Sequence, residues 1–286
     1  MPETAFDLIE PEQTRSAVVF ASPHSGCDYP DWFVRRSVLD RHAIRSSEDA
    51  FVDRLFGAAP DFGAPLLRAC APRAFVDLNR SPDELDPALI HGVRRQGHNP
   101  RVASGLGVIP RVVSNGRAIH RGKISMDEAR ARIDHYWRPY HAALQTLLDR
   151  AHDRFGQAVL IDCHSMPHEA MDGVARSTSP RPEIVLGDRF GAAADSDIVD
   201  RVEAAFAAAG LTVSRNAPFA GAYIAQAYGR PSRRQHAIQV EIDRALYMDE
   251  KRIAPSENFD AFRAVLHGII AELAAIGYED LPLAAE

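Results

Sequence analysis

Short apolar runs recur along the chain, each closed by a turn and followed by residues with helical spacing: 18-VVFAS-22, 74-AFVDL-78, 158-AVLID-162 and 237-AIQVEI-242. Runs of this length, rich in β-branched and aromatic residues, read as strands. Their alternation with helical segments predicts an α/β fold with a largely buried sheet. The longest helical pattern runs from Ser125 to Phe155. Ser125 and Glu128 have capping-box spacing, and Ile133, Trp137, Ala143, Leu144, Leu147 and Leu148 make its apolar stripe. Pro139 has no N–H to donate, so it is expected to kink or divide this helix. Further helices are expected from Asp197 to Ala209, stopped by Gly210, and from Asn258 to Ala275, ahead of Gly277. The run LTVSR after Gly210 reads as a short strand.

Periodicity weakens between Ser81 and Gly122, where prolines, glycines, arginines and histidines crowd together. A connection this long is functional or disordered more often than passive, and it reads as an irregular excursion over the active face. With no repeat, low-complexity tract or linker elsewhere, the expectation is a single domain over residues 1–286.

Composition narrows the function classes. At 46% hydrophobic and 25% charged, the 286-residue chain falls in the ordinary soluble globular class. A formal net charge of −6 leaves no global basic field for a phosphate backbone, so nucleic acid is not an expected partner. No run of about 18 apolar residues predicts a membrane span. The opening MPETAFDLIEPEQ lacks the features of a signal peptide, which points to a cytoplasmic protein. Cys27, Cys70 and Cys163 form no C-x-x-C pair and do not describe a disulfide scaffold.

Two strands end in a histidine: VVFAS runs into Pro-His-Ser-Gly at His24, and AVLID runs into Cys-His-Ser at His164. Asn79 and Arg80 follow the AFVDL run, and Glu241 lies near the end of the fourth. Ligand sites of open α/β sheets lie beyond the carboxyl ends of strands, so these segments are expected to meet. Strand alternation puts Asp162 on the side of His164, where it can orient the imidazole, and Gln239 on the side of Glu241. A catalytic zinc asks for three protein ligands and an open position. His24 and His164 supply two, and Glu48, Asp49 and Asp53 are the acidic candidates for the third. Asp49 and Asp53 would share one face of a helix beginning near Ser47. Glu241 could accept a proton from water, and Arg80 could face an oxyanion or a substrate carboxylate. Tyr223, beside Gly221, is a candidate substrate contact. Arg230, Arg233 and Arg234 could each clamp a carboxylate, with Arg230 carried forward as the substrate-binding candidate. A P-loop, a G-x-G-x-x-G turn and a G-x-S-x-G elbow are all absent from the sequence.

The motifs PHSG, EDAFVDRLF, VDLNRSPDE, DCHSMP, FAGAYIAQAYG and HAIQVEI, in this order from about Val18 to Met248, resemble those of the N-formylglutamate amidohydrolase family. That family is related to the zinc carboxypeptidases and aspartoacylases. The resemblance implies a three-layer α/β/α fold with a central mixed sheet, of the zinc-carboxypeptidase (phosphorylase/hydrolase-like) kind. It also implies a zinc-activated water that hydrolyses an N-formyl or other small N-acyl amino acid, such as N-formylglutamate. One Zn2+ would sit at His24, His164 and a carboxylate of the EDAFVD segment, Asp49 first and Glu48 as the alternative. Glu241 would be the general base, and Asn79 with Arg80 the substrate-binding pair. The wider carboxypeptidase pattern has an acidic ligand three residues after the first histidine, where this chain has Cys27. Manganese, iron or cobalt would accept similar ligands. Two other readings compete: a cysteine-dependent amidase using Cys27 or Cys163, and a catalytically inactive binding protein on the same fold.

Overall fold

The computed structural model describes residues 4–94, 99–172 and 181–277. They group into two compact units whose segments interleave along the chain. The first is built from Pro23–Ala50 and Arg68–Ala143 with the described residues before Leu8. The second is built from Leu8–Ser22, Phe51–Leu67 and the described residues from Leu144 onward.

The sheet strands are β1 (Phe6–Ile9), β2 (Val18–Ser22), β3 (Leu66–Ala69), β4 (Ala158–Met166), β5 (Ile184–Gly187), β6 (Val213–Arg215) and β7 (Gln235–Asp243). They form one seven-stranded mixed sheet in the order β1-β3-β2-β4-β7-β5-β6. Strands β2, β4 and β7 run parallel, and β5 runs antiparallel to β7. In β4 and β7 all nine residues are buried, which explains the continuous apolar run Ala158–Ile161 that opens β4, whereas in β7 Gln239, Glu241 and Asp243 alternate with Ile238, Val240 and Ile242. Val159, Leu160 and Ile161 are fully buried, each contributing about 1.5–3 kcal/mol by leaving water.

The helices are α1 (Asp31–Arg36), α2 (Val52–Leu55), α3 (Pro100–Ala103), α4 (Met126–Arg132), α5 (Arg138–Phe155), α6 (Ser196–Ala208), α7 (Tyr223–Tyr228) and α8 (Phe259–Ala274). Helices α6 and α8 fall where the sequence predicts them. Helix α8 buries Phe259, Phe262, Leu266, Ile269, Ile270 and Leu273 at helical spacing. The long predicted helix is divided as Pro139 requires, by a π-helical turn at Ile133–Trp137 between α4 and α5. Ser125 Oγ caps α4 by accepting from Glu128 N at 3.1 Å, while the Glu128 carboxylate turns to Arg36 and Arg132. No helix of the described residues is long and apolar enough to cross a membrane.

Two expectations are corrected. Residues 74–78 are not a strand: the amides of Phe75 and Val76 both bond back to the carbonyl of Pro72, and this proline-initiated turn overrides the β-like composition. Nor do Asp49 and Asp53 share a helix face. A 3₁₀ turn at Ala43–Ser47 ends at Glu48, and Phe51 adopts φ +69°, so α2 starts only at Val52. The excursion at 81–122 is anchored rather than loose: Val108 N bonds Glu84 O at 2.9 Å, and Val108 O accepts from Asp77 N at 2.8 Å. Its residues 95–98 lie outside the described residues.

Candidate active site

In the first unit the Pro-His-Ser-Gly turn carries a buried His24. Gly26 is required there because a Cβ would lie 2.2 Å from the carbonyl oxygen of Ala71. The peptide that follows therefore packs directly on residues 70–71. The His24 carbonyl accepts from Asp49 N at 3.0 Å, which brings the acidic segment alongside. His24 Nδ1 lies 3.4 Å from Asp49 Oδ2, and its Nε2 lies 2.7 Å from Asp77 Oδ1. Asp77 also accepts from Arg73 Nε at 3.1 Å and from Asn79 N at 2.9 Å. Burial alone would raise the pKa of Asp77. The charges of His24, Arg73 and Arg80 overturn this and hold it well below the usual carboxylate range.

Glu48, the neighbour of Asp49, is committed elsewhere: both its oxygens accept from Arg45, at 3.0–3.2 Å. The phenol of Tyr29 is pushed up by burial and then by the Glu48 charge. Arg80 is buried, donating Nε to Leu106 O at 2.9 Å and Nη1 to Asn79 O at 2.7 Å, and the Arg80 carbonyl accepts from Trp137 Nε1. Asn79 and Arg80 are thus fixed by an irregular segment pinned to the excursion, not by a strand end.

In the second unit the parallel register aligns Asp162 with Gln239 and His164 with Glu241. Aligned partners on neighbouring strands point to the same side, so these four buried polar residues form one patch near the carboxyl ends of β4 and β7. His164 Nε2 lies 3.0 Å from Asp162 Oδ2. Gln239 Nε2 donates to Glu241 Oε1 at 2.8 Å, while Gln239 Oε1 accepts from Ala222 N at 2.9 Å. The loop before Ala222 comes this close because Gly187, aligned with Gln239 on β5, has no side chain. A Cβ there would meet Gly221 N at 2.5 Å.

Ligand atoms of the buried residues His24, Asp49 and His164 all lie within 4.8 Å of one another, a group that could hold a metal ion. Two features of the donors fit a cation. The set is two imidazoles and a carboxylate, and each imidazole has its own buried carboxylate beside it, Asp77 hydrogen-bonded to His24 and Asp162 within 3.0 Å of His164. Such outer partners fix the tautomer and ring orientation of metal-ligating histidines.

The sequence profile of the N-formylglutamate amidohydrolase family matches residues 16–248. The chain belongs to the N-formylglutamate amidohydrolase family. The N-formylglutamate deformylase of Pseudomonas putida is 30% identical over 245 residues, covering 83% of this chain and 84% of that protein. The enzyme of the same name from Pseudomonas aeruginosa is 30% identical over 285 residues, covering 96% and 98%. The crystal structure of N-formylglutamate amidohydrolase from Ralstonia eutropha JMP134 superposes with a TM-score of 0.89 at 35% identity, covering 96% of this chain and 98% of that one. The gene product Atu2144 from Agrobacterium tumefaciens, at 18% identity and a TM-score of 0.62, shares the fold. All the site residues named above fall inside the span matched to the N-formylglutamate amidohydrolase family, whereas α8 falls outside it.

Among the remaining candidates, Tyr223 is half-buried and opens α7 directly after Ala222, so the Gln239 bridge ties its backbone to Glu241. Arg230 is not brought to this patch. It is exposed, and its backbone bonds to Gln235 at the opening end of β7, on the order of 20 Å along the strand from Glu241. Cys163 is fully buried, its thiol pushed well up by burial and then by the Asp162 charge, which disfavours a thiolate. Asp77 and Arg73 escape the sequence reading. The only trace of Asp77 is its place within the VDLNR motif.

Proposed function

We propose that this protein is a metal-dependent amidohydrolase that cleaves the amide of an N-formyl amino acid, with N-formylglutamate the first substrate to test. One observation carries the reading: a buried His24, Asp49 and His164 group, with Glu241 aligned to His164 on the adjoining strand, in a chain of this family. The name of the two Pseudomonas relatives, N-formylglutamate deformylase, supports the substrate.

In this reading His24, Asp49 and His164 hold one divalent ion. Zinc comes first because two imidazoles and a carboxylate are the donor set that a catalytic zinc would take, and Glu48 is set aside because Arg45 occupies it. When bound there, the ion would supply Lewis-acid polarisation of the formyl carbonyl and would lower the pKa of the attacking water. Glu241 accepts the proton of the attacking water as the C–O bond forms at the formyl carbon. It returns that proton to the amine nitrogen as the C–N bond breaks, leaving formate and the free amino acid. Gln239 holds the Oε1 of Glu241 and so orients the acceptor. Asn79 and Arg80 bind the substrate, Arg80 presenting its charge to the developing oxyanion or to a substrate carboxylate. Tyr223 borders the substrate from the loop that Gln239 anchors, and Arg230 has no part. A three-layer α/β/α arrangement of the zinc-carboxypeptidase kind belongs to the same reading; burial of β4 and β7 at every residue supports helices on both faces of the sheet.

The deciding experiment is metal content by elemental analysis with turnover of N-formylglutamate, in wild type and in His24→Ala and His164→Ala variants folded to the same extent. Near-stoichiometric metal in the wild type, lost in both variants together with formate release, is the expected result. A metal-free wild type that still hydrolyses the substrate would sink the metal reading and return attention to Cys27. A metal-loaded protein that binds N-formyl and N-acetyl amino acids without turnover would leave a binding protein on this fold.

A further inference from the structure

In the first unit, a pocket of about 290 Å³ shares no lining residue with the candidate active site. Its wall sets five cationic side chains, Arg35, Arg36, Arg121, Lys123 and Arg132, against a single carboxylate, Glu128. The chain carries a formal charge of −6, so this pocket reverses the sign of the protein as a whole. Like charges gathered around one concave space repel one another, and the same arrangement concentrates anions from solution.

The one carboxylate is already engaged. Glu128 accepts from Arg36 Nη2 at 3.2 Å and also from Arg132. Lys123 donates to a backbone carbonyl, that of Pro87, at 2.7 Å, and has no acidic partner among the described residues. Arg35 and Arg121 have no acidic partner among the described residues. Arg132 is the built part of the wall. It is almost fully buried, its guanidinium lies 4.2 Å from the ring centroid of Phe75 and 5.2 Å from that of Phe33, and Nη1 donates to Phe75 O. Its Nε is buried with no hydrogen-bond partner among the described residues. Burial lowers the Arg132 pKa to about 10, which leaves the charge intact at neutral pH. Burial and the Arg132 charge lower His120, on the same wall, to about 4. Trp32 completes the lining, with Arg36 5.5 Å from its ring centroid.

We propose that this pocket is a binding site for a small phosphate-class dianion, held by charge-assisted hydrogen bonds from Arg35, Arg121 and Lys123. Cations reach it from three separate segments, α1, residues 121–123 and the end of α4. A tetrahedral oxyanion can present oxygens to donors on several sides at once, whereas a planar carboxylate offers two oxygens in one plane. The competing view is that these side chains are a solvated basic surface around a structural Arg132.

The test uses the full-length protein and inorganic phosphate, titrated at constant ionic strength against chloride, with heat and tryptophan fluorescence as readouts. Saturable binding of one phosphate is expected. Affinity should fall by about tenfold or more in the Arg35→Gln/Lys123→Gln double variant and in Arg121→Gln. Trp32→Phe should abolish the fluorescence response and keep the heat, which places the ion at this pocket. Thermal unfolding without phosphate checks the variants, which relieve repulsion and should be no less stable than wild type. Heat no greater than that of the chloride control overturns the proposal. So does phosphate binding that both charge variants retain at wild-type strength, since the ion then binds elsewhere.

Discussion

Gln239 holds Glu241 from one side and the FAGAY loop from the other: its Nε2 donates to Glu241 Oε1 at 2.8 Å, and its own Oε1 accepts the Ala222 amide at 2.9 Å. A single amide side chain thus couples the proposed base to the backbone beside Tyr223. Neither of these two Gln239 atoms can be replaced by an apolar group without leaving the buried Glu241 or the half-buried Ala222 amide short of a bond. Gln239→Leu is therefore expected to lower kcat by about 10–100-fold, the worth of a hydrogen bond to a charged group, while the fold persists. Steady-state kinetics on N-formylglutamate would check this. A change confined to KM would mean that Gln239 serves the loop and not Glu241.

Glu241→Gln separates the proton acceptor from the metal. The substitution keeps the shape and removes the basic oxygen, so metal content should stay at the wild-type level while turnover falls by at least about 100-fold. Elemental analysis and single-turnover formate release on one preparation supply both numbers. Substantial turnover in this variant would take the base role away from Glu241.

Asp77 is argued to act through His24, whose Nε2 it meets at 2.7 Å. Loss of an outer carboxylate costs metal sites about 10–100-fold in affinity. Asp77→Asn should bind the ion more weakly by that factor, measured by competition with a chelator of known affinity. The amide retains an oxygen for the Asn79 N–H, so the local turn should survive. Unchanged metal affinity would make Asp77 a structural partner of Arg73 alone.

The sequence made one half of this site legible and hid much of the other, for a physical reason. In β4 and β7 every side chain alternates strictly, so Asp162 with His164, and Gln239 with Glu241, could be paired from spacing alone. The register that aligns the two pairs follows only from the fold. Around His24 no period applies. Asp49 reaches it through one backbone bond after a 3₁₀ turn, and Asp77 sits on a proline-initiated turn whose composition imitates a strand. Strands β1 and β3, four residues each, were too short to read. Arg230 precedes β7 and lies at its opening end, whereas Glu241 lies near its carboxyl end.

His141 should make the first unit acid-sensitive. It is buried, stacked 3.8 Å from Trp137, and bonded from Nε2 to Leu78 O at 2.9 Å; burial lowers its pKa from 6.5 to about 4. Between those values the unfolded chain takes up a proton that the native state refuses. The stabilisation is complete above pH 6.5 and is lost as pH falls toward 4, on the order of 3 kcal/mol in all. Both tryptophans, Trp32 and Trp137, lie in this unit, so fluorescence-monitored urea unfolding at pH 7.5 and pH 5 reads it directly. His141→Gln, although weaker overall, should show a flatter decline over that window. An unchanged slope would assign the acid sensitivity to His120 or to other groups.

Gly26 carries the most severe steric prediction. A methyl group at this position would lie 2.2 Å from Ala71 O and 2.8 Å from Cys70 O, both backbone atoms that cannot rotate away. Gly26→Ala must therefore push the turn off residues 70–71, and overpacking of this kind costs about 1–3 kcal/mol. The displaced turn includes His24, whose carbonyl holds Asp49 N and whose ring meets Asp77. Metal content should fall out of proportion to the loss of stability, because a shift of one ångström spoils ligand geometry long before it unfolds the unit. Parallel measurement of thermal midpoint and bound metal distinguishes the outcomes. Full metal occupancy in a destabilised Gly26→Ala protein would show that the glycine serves packing alone, and that His24 can be positioned without it.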